Sequence, residues 1–107
     1  MAAFAAAWVC AHHHVITVVN TSSQGIVVLT VQTGDETLTF KNIPPGGETS
    51  QTFTIHGDAS FRINGKFDDG KDFVGHEGYV ASGFYAVRVR LQVGNGGSIR
   101  HSMEKGI

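Results

Sequence analysis

The sequence predicts an all-β protein, an antiparallel two-layer β-sandwich of about 7–8 short strands, and three observations predict it. Short β-branched and aromatic runs recur from Val15 onward, with apolar and polar side chains alternating along them, which is the period-two pattern of a half-buried strand. Clusters of Gly, Pro, Asn and Asp separate the runs at the spacing of a sandwich or barrel. No connection is long enough for the crossover of roughly ten or more residues that parallel neighbours demand, so antiparallel order is expected.

Taken in order, Val15–Asn20 is apolar on both faces, as suits a strand covered on both sides. In Ile26–Thr33, Val27, Leu29 and Val31 share a face, and in Glu36–Lys41 Leu38 and Phe40 do. Thr52, Thr54 and His56 alternate with Phe53 and Ile55, while Arg62, Asn64 and Lys66 alternate with Phe61, Ile63 and Phe67. Gly75 and Gly78 interrupt Phe73–Val80, as happens at a bulge or a close backbone approach. The clearest run is Tyr85–Val93: Tyr85, Val87, Val89, Leu91 and Val93 lie on one side and Arg88, Arg90 and Gln92 on the other. A helix would bring Arg88 and Leu91 together and would have to order a string of helix-disfavoured valines. Ser98–Met103 closes the set with Ile99 and Met103 inward and His101 on their face as a hydrogen-bonded core histidine.

The connections are predicted by their turn chemistry. Gly34-Asp35 and Asp69-Gly70 tolerate positive φ and predict hairpins. Pro44-Pro45-Gly46-Gly47 removes two backbone donors and must be a loop, and Gly94-Asn95-Gly96-Gly97 is a turn between the last two strands. No helical stretch is expected after Ala11. The Pro-Gly loop followed by Thr52-Phe53-Thr54-Ile55 resembles loop-strand patterns of immunoglobulin-like and transthyretin-like sandwiches over about a dozen residues.

With 107 residues, 41% hydrophobic and 16% charged, the chain suits one folded domain over residues 12–107 and does not have a disordered composition. A formal charge of −1 lacks the basic field that holds phosphates, so nucleic acid is not an expected partner. The single Cys10 allows no internal disulfide. Residues 1–11 are apolar and end in Val9-Cys10-Ala11, as the core and cut of a secretory signal do, though no basic residue precedes them. The segment is too short to span a membrane. It predicts an extracytoplasmic chain, periplasmic or secreted.

Histidine is the enriched chemical group, with six copies. Cleavage after Ala11 would leave His12-His13-His14 at the start, and its amine, two amides and third-position imidazole would wrap Cu(II) or Ni(II) in a square-planar set. His12, His13 and His14 are therefore the candidate metal ligands of a small metal-binding protein, the alternative to the leading reading below. No other cofactor is expected. Asp68-Asp69-Gly70-Lys71-Asp72 lacks the alternating acids and distant Glu of a calcium loop and predicts a hairpin turn. The serines sit in no nucleophile elbow and the glutamates in no paired pattern, which argues against an enzyme. Asn20-Thr21-Ser22 is a glycosylation sequon in a eukaryotic secretory host.

Arg88 and Arg90 stand side by side on one exposed strand face, with Arg62 and Lys66 on another. Arginine faces hold carboxylates bidentately at protein interfaces. Tyr79 and Tyr85 flank the Ala81-Ser82-Gly83 turn, where aromatics can anchor a partner. The leading reading is a non-enzymatic binding module whose partner is another protein, contacted through Arg88, Arg90, Tyr79 and Tyr85.

Overall fold

The computed structural model describes residues 14–34, 36–53, 59–80 and 86–106. Among these residues the fold is all-β, with eight strands: β1 (His14–Asn20), β2 (Ile26–Thr33), β3 (Glu36–Ile43), β4 (Glu48–Phe53), β5 (Ala59–Phe67), β6 (Asp72–Val80), β7 (Ala86–Val93) and β8 (Ile99–Gly106). They form two four-stranded sheets, β4-β1-β7-β8 and β3-β2-β5-β6.

The two sheets enclose one core because each presents a row of alternating apolar residues. Ile16, Val18, Phe53, Val89, Leu91 and Val93 come from the first sheet and Leu29, Val31, Phe40, Phe61, Ile63 and Phe67 from the second. Phe53 meets Phe61 edge-on across the sheets at 5.7 Å, a favoured aromatic arrangement. Burying such a side chain contributes about 1.5–3 kcal/mol.

One adjacency departs from the antiparallel expectation: β1 runs parallel to β7, with Val15 opposite Arg88 and Asn20 opposite Val93. The crossover argument applies to strands consecutive in the chain. Here the chain builds the whole second sheet between β1 and β7, so the connection is far longer than any single loop. All other pairings are antiparallel.

Two local readings also change. Val27 is exposed and Ile26 buried, although Val27 shares sequence parity with Leu29 and Val31. A register shift between Ile26 and Val28 inserts Val27 as an extra residue against β5, and a bulge of this kind resets the alternation. The fourth strand begins at Glu48 and pairs its polar residues with β1; residues 54–58, which include His56, lie outside the described region. The connection after β7 is the expected turn, a three-residue 3-10 turn, Asn95–Gly97, interrupted by Gly96 at φ 74°.

Both interrupting glycines of β6 have the roles expected of them. Gly78 is skipped where Ser60 pairs with Tyr79 and Phe61 with Glu77. Gly75 lets the Ile99 side chain close over the β6 backbone, because a Cβ there would collide with its Cδ1. The turns hold as well: Gly34 and Gly70 have φ of 62° and 89°.

Candidate functional site

Two regions gather chemistry-bearing side chains: the outward face of the first sheet, and the end of the sandwich where the loops after β1, β3, β5 and β7 meet.

On the outward face, β7 is an inner strand, so its polar side is flanked by β1 and β8. Val15 lies opposite Arg88, Thr17 opposite Arg90 and Val19 opposite Gln92. On the other side, Arg90 faces Ser102 and Gln92 faces Arg100. Arg88, Arg90 and Arg100 are all exposed, and two residues along a strand separate Arg88 from Arg90 by roughly 6.6 Å. Arg90 Nη2 reaches Glu48 Oε2 at 3.3 Å, with both side chains about half exposed. Such a pair contributes at most about 1 kcal/mol and is readily exchanged. Among the described residues, Arg88 and Arg100 make no ion pair. The tertiary pairing therefore adds Arg100 to the two arginines that alternation alone singles out.

Arg62 and Lys66 occupy the outward face of the second sheet, as expected; Lys66 pairs with Asp72 at 3.7 Å. On that face Ser60 Oγ lies 3.1 Å from His76 Nε2. The pair sits on an exposed strand surface, where water is not excluded and an oxyanion would be solvated by bulk rather than by fixed donors. Only the β5–β6 register brings the two together, sixteen residues apart.

Of the predicted histidine ligands and tyrosine anchors, His14 and Tyr79 lie among the described residues. His14 is not part of a polar leader: it opens β1, is 5% exposed, and its ring lies 5.3 Å from that of Phe53. An imidazole used for copper would have to leave this contact. His12, His13 and Tyr85 fall outside the described residues, and Tyr79 lies in β6 opposite Ser60. His101 is exposed rather than a core residue; it lies on the edge strand β8, between Ile99 and Met103, which pack against the core. No group of three or more His, Cys, Asp or Glu suited to a metal ion occurs among the described residues.

At the loop end, Asn20 is the organising residue. It is fully buried, and its Nδ2 donates to the carbonyls of Gln24 at 2.7 Å and Ile43 at 3.0 Å. Its Oδ1 accepts from the Ser22 backbone N–H and hydroxyl. The Asn20 backbone exchanges hydrogen bonds with Gly46 and Gly47, and Thr21 N donates to Val93 O. Asp68 Oδ2 and Asn95 Oδ1 accept from the N–H groups of Gly25 and Ser23. Residues 20–25 thus tie all four loops together. The sequon at Asn20 is consequently closed to a glycan in the folded state, since both amide hydrogens are engaged inside the protein.

These loops bound a cleft of about 130 Å³ lined by Ser22, Gln24, Phe67, Asp69, Lys71 and Asn95, among others. Hydrogen bonds from the Lys71 backbone N–H, at 2.9 Å, and then from the Gln24 side chain hold the Asp69 carboxyl below its ordinary range. A carboxyl with a lowered folded pKa stabilises the fold above its unfolded value, near ~3.9, and that contribution fades as pH falls through the folded pKa. Thermal melts between about pH 2 and 5 should therefore show a steeper acid-side loss for the wild type than for Asp69→Asn.

With this geometry in view, the chain is similar in fold to a solved structure described as the NMR structure of the protein from Eubacterium rectale. The likeness covers 89% of this chain and 91% of that chain, with a TM-score of 0.63 and 14% sequence identity. At that identity it shows the fold alone. No family model and no curated protein matches the sequence.

Proposed function

We propose that this protein is a non-enzymatic extracytoplasmic module that captures a partner protein on the outward face of its first sheet. The observation that carries the reading is the group of Arg88 and Arg90 on β7 and Arg100 opposite Gln92 on β8, all exposed, with Glu48 ion-paired to Arg90 and Glu104 opposite Arg88 in the register. Guanidinium groups with spare donors recognise carboxylates in a bidentate fashion, and arginine is enriched where proteins meet. Val15, half-buried opposite Arg88, supplies apolar area that a partner would cover.

The frame is that of a transthyretin-like sandwich. Immunoglobulin-like sandwiches keep their first two strands in one sheet, whereas β1 and β2 stand in opposite sheets. Export rests on the apolar residues 1–11 and their small-residue end.

The test is a double variant, Arg88→Glu with Arg90→Glu. Both side chains point to solvent, so the circular dichroism spectrum and melting temperature should stay near those of the wild type. Proteins retained by the immobilised wild type should be lost, with affinity falling about tenfold or more. Equal retention by both would remove this face as the contact.

A further inference from the structure

We propose that Asn95, in the turn between β7 and β8, is a site of spontaneous chemical modification, where the chain converts its own side-chain amide to a carboxylate. The sequence holds two Asn-Gly pairs, Asn64-Gly65 and Asn95-Gly96, and asparagine is among the thermolabile residues. In such a pair the backbone nitrogen of the glycine has no side chain to hinder it, and it can reach the amide carbon by closing a five-membered ring. The fold places the two pairs in opposite circumstances.

Asn64 and Gly65 lie in β5, an inner strand between β2 and β6, with Asn64 opposite Thr30 on one side and Val74 on the other. An inner strand directs each backbone N–H at a neighbouring strand, and the Phe73 ring packs over Gly65. Gly65 N is therefore not free to turn toward the Asn64 amide. Asn95 and Gly96 are both exposed in their turn, where Gly96 has φ of 74° and a Cβ built on it would meet nothing within 4 Å. The Val93 carbonyl is the acceptor that a 3-10 turn would offer to the Gly96 N–H. It is taken instead by the backbone N–H and hydroxyl of Thr21, at 2.8 and 3.1 Å.

Ser23 prepares the other reactant. Its backbone N–H and its hydroxyl both donate to Asn95 Oδ1, at 2.9 and 3.2 Å. These donors draw charge from the amide carbon and face the oxygen that turns negative when that carbon becomes tetrahedral. Gly96 N gives its proton to a solvent base and attacks Asn95 Cγ. The N–Cγ bond forms, the Cγ–Nδ2 bond breaks, and Nδ2 takes up a proton and departs as ammonia. Water then opens the cyclic imide at either carbonyl, leaving aspartate at position 95 or, with the main chain rerouted through Cγ, isoaspartate. Both courses exchange one ammonia for one water and need no oxidant or reductant. The aspartate keeps an oxygen for the Ser23 donors, now in charge-assisted hydrogen bonds, so the loop end gains a negative charge and keeps its bracing. The isoaspartate lengthens the β7–β8 connection by one main-chain carbon and carries its carboxylate directly on Cα, one carbon short of the former reach to Ser23.

Peptide mapping by mass spectrometry tests the site on the full chain after prolonged incubation at mildly alkaline pH, with an unincubated sample digested in parallel as the background. Trypsin puts the two pairs in separate peptides, Ile63–Lys66 and Leu91–Arg100, because it cuts after Arg62, Lys66, Arg90 and Arg100. In the folded protein Leu91–Arg100 should pass to its aspartyl and isoaspartyl forms at least about tenfold faster than Ile63–Lys66 does. In urea the two should react at comparable rates, since the fold is what separates them. Gly96→Ala adds a methyl group that has room in the turn and hinders the attacking nitrogen, so it should slow the reaction of the folded protein at least about tenfold. An unchanged amide spectrum outside the turn verifies the fold of that variant, and the comparison of the two wild-type peptides stands without it. A Leu91–Arg100 peptide that keeps its amide in the folded protein over a time that converts it in urea would overturn the site. So would one that reacts no faster than Ile63–Lys66.

Discussion

Replacing Asn20 with alanine should destabilise the protein by about 3–4 kcal/mol, because it strands several buried groups at once. The carbonyl of Ile43 and the N–H of Ser22 would each lose a partner inside the protein, and the β1–β2 loop would lose its internal bracing. Urea denaturation provides the measurement, with a midpoint lower by roughly 2 M for a domain of this size. Asn20→Asp has nearly the same shape but aims a carboxylate at two carbonyl oxygens. Burial and those oxygens would raise its folded pKa above the unfolded value, so its deficit should be smallest in acid and grow as pH rises above about 4. A drop below about 1 kcal/mol for Asn20→Ala would mean that water can take over these bonds.

Gly65→Val should cost about 3 kcal/mol, from overpacking rather than from strand propensity. Gly65 pairs with Phe73 across β5 and β6, and the Phe73 ring lies directly over the Gly65 Cα, where any Cβ would overlap it. The ring is 6% exposed and backed by Phe67, so it has no easy retreat. The decisive measurement is a double-mutant cycle by chemical denaturation. On a Phe73→Ala background, which itself removes about 3 kcal/mol or more, Gly65→Val should be nearly neutral. Additive costs would show that the ring does not need the glycine.

The outward arginines and the interior phenylalanines were legible for the same reason: period two assigns a side to each residue once the strand is recognised. Arg88, Arg90, Arg62 and Lys66 all lie on the faces that alternation assigns. Arg100 was equally readable, as the residue between inward Ile99 and its neighbours, but its value depends on β8 lying beside β7. Alternation failed at Val27, where a bulge adds a residue. It was also silent over Glu48–Gln51, because an edge strand held by its backbone needs no apolar pattern to pair. His101 shows the remaining gap, since parity gives a side of the sheet and not whether a residue on that side of an edge strand is covered.

The sequence by itself determined the strand count, most strand limits, the turn positions and the all-β class, because these follow from neighbours within a few residues and from backbone chemistry local to Gly and Pro. Only the tertiary structure decided that β1 runs parallel to β7, that residues 20–25 bind four loops into one end, and that Gln24, Asp69 and Asn95 share a cleft. Those facts depend on contacts between residues 23 to 73 apart in the chain, and no periodicity within a strand carries information over such distances.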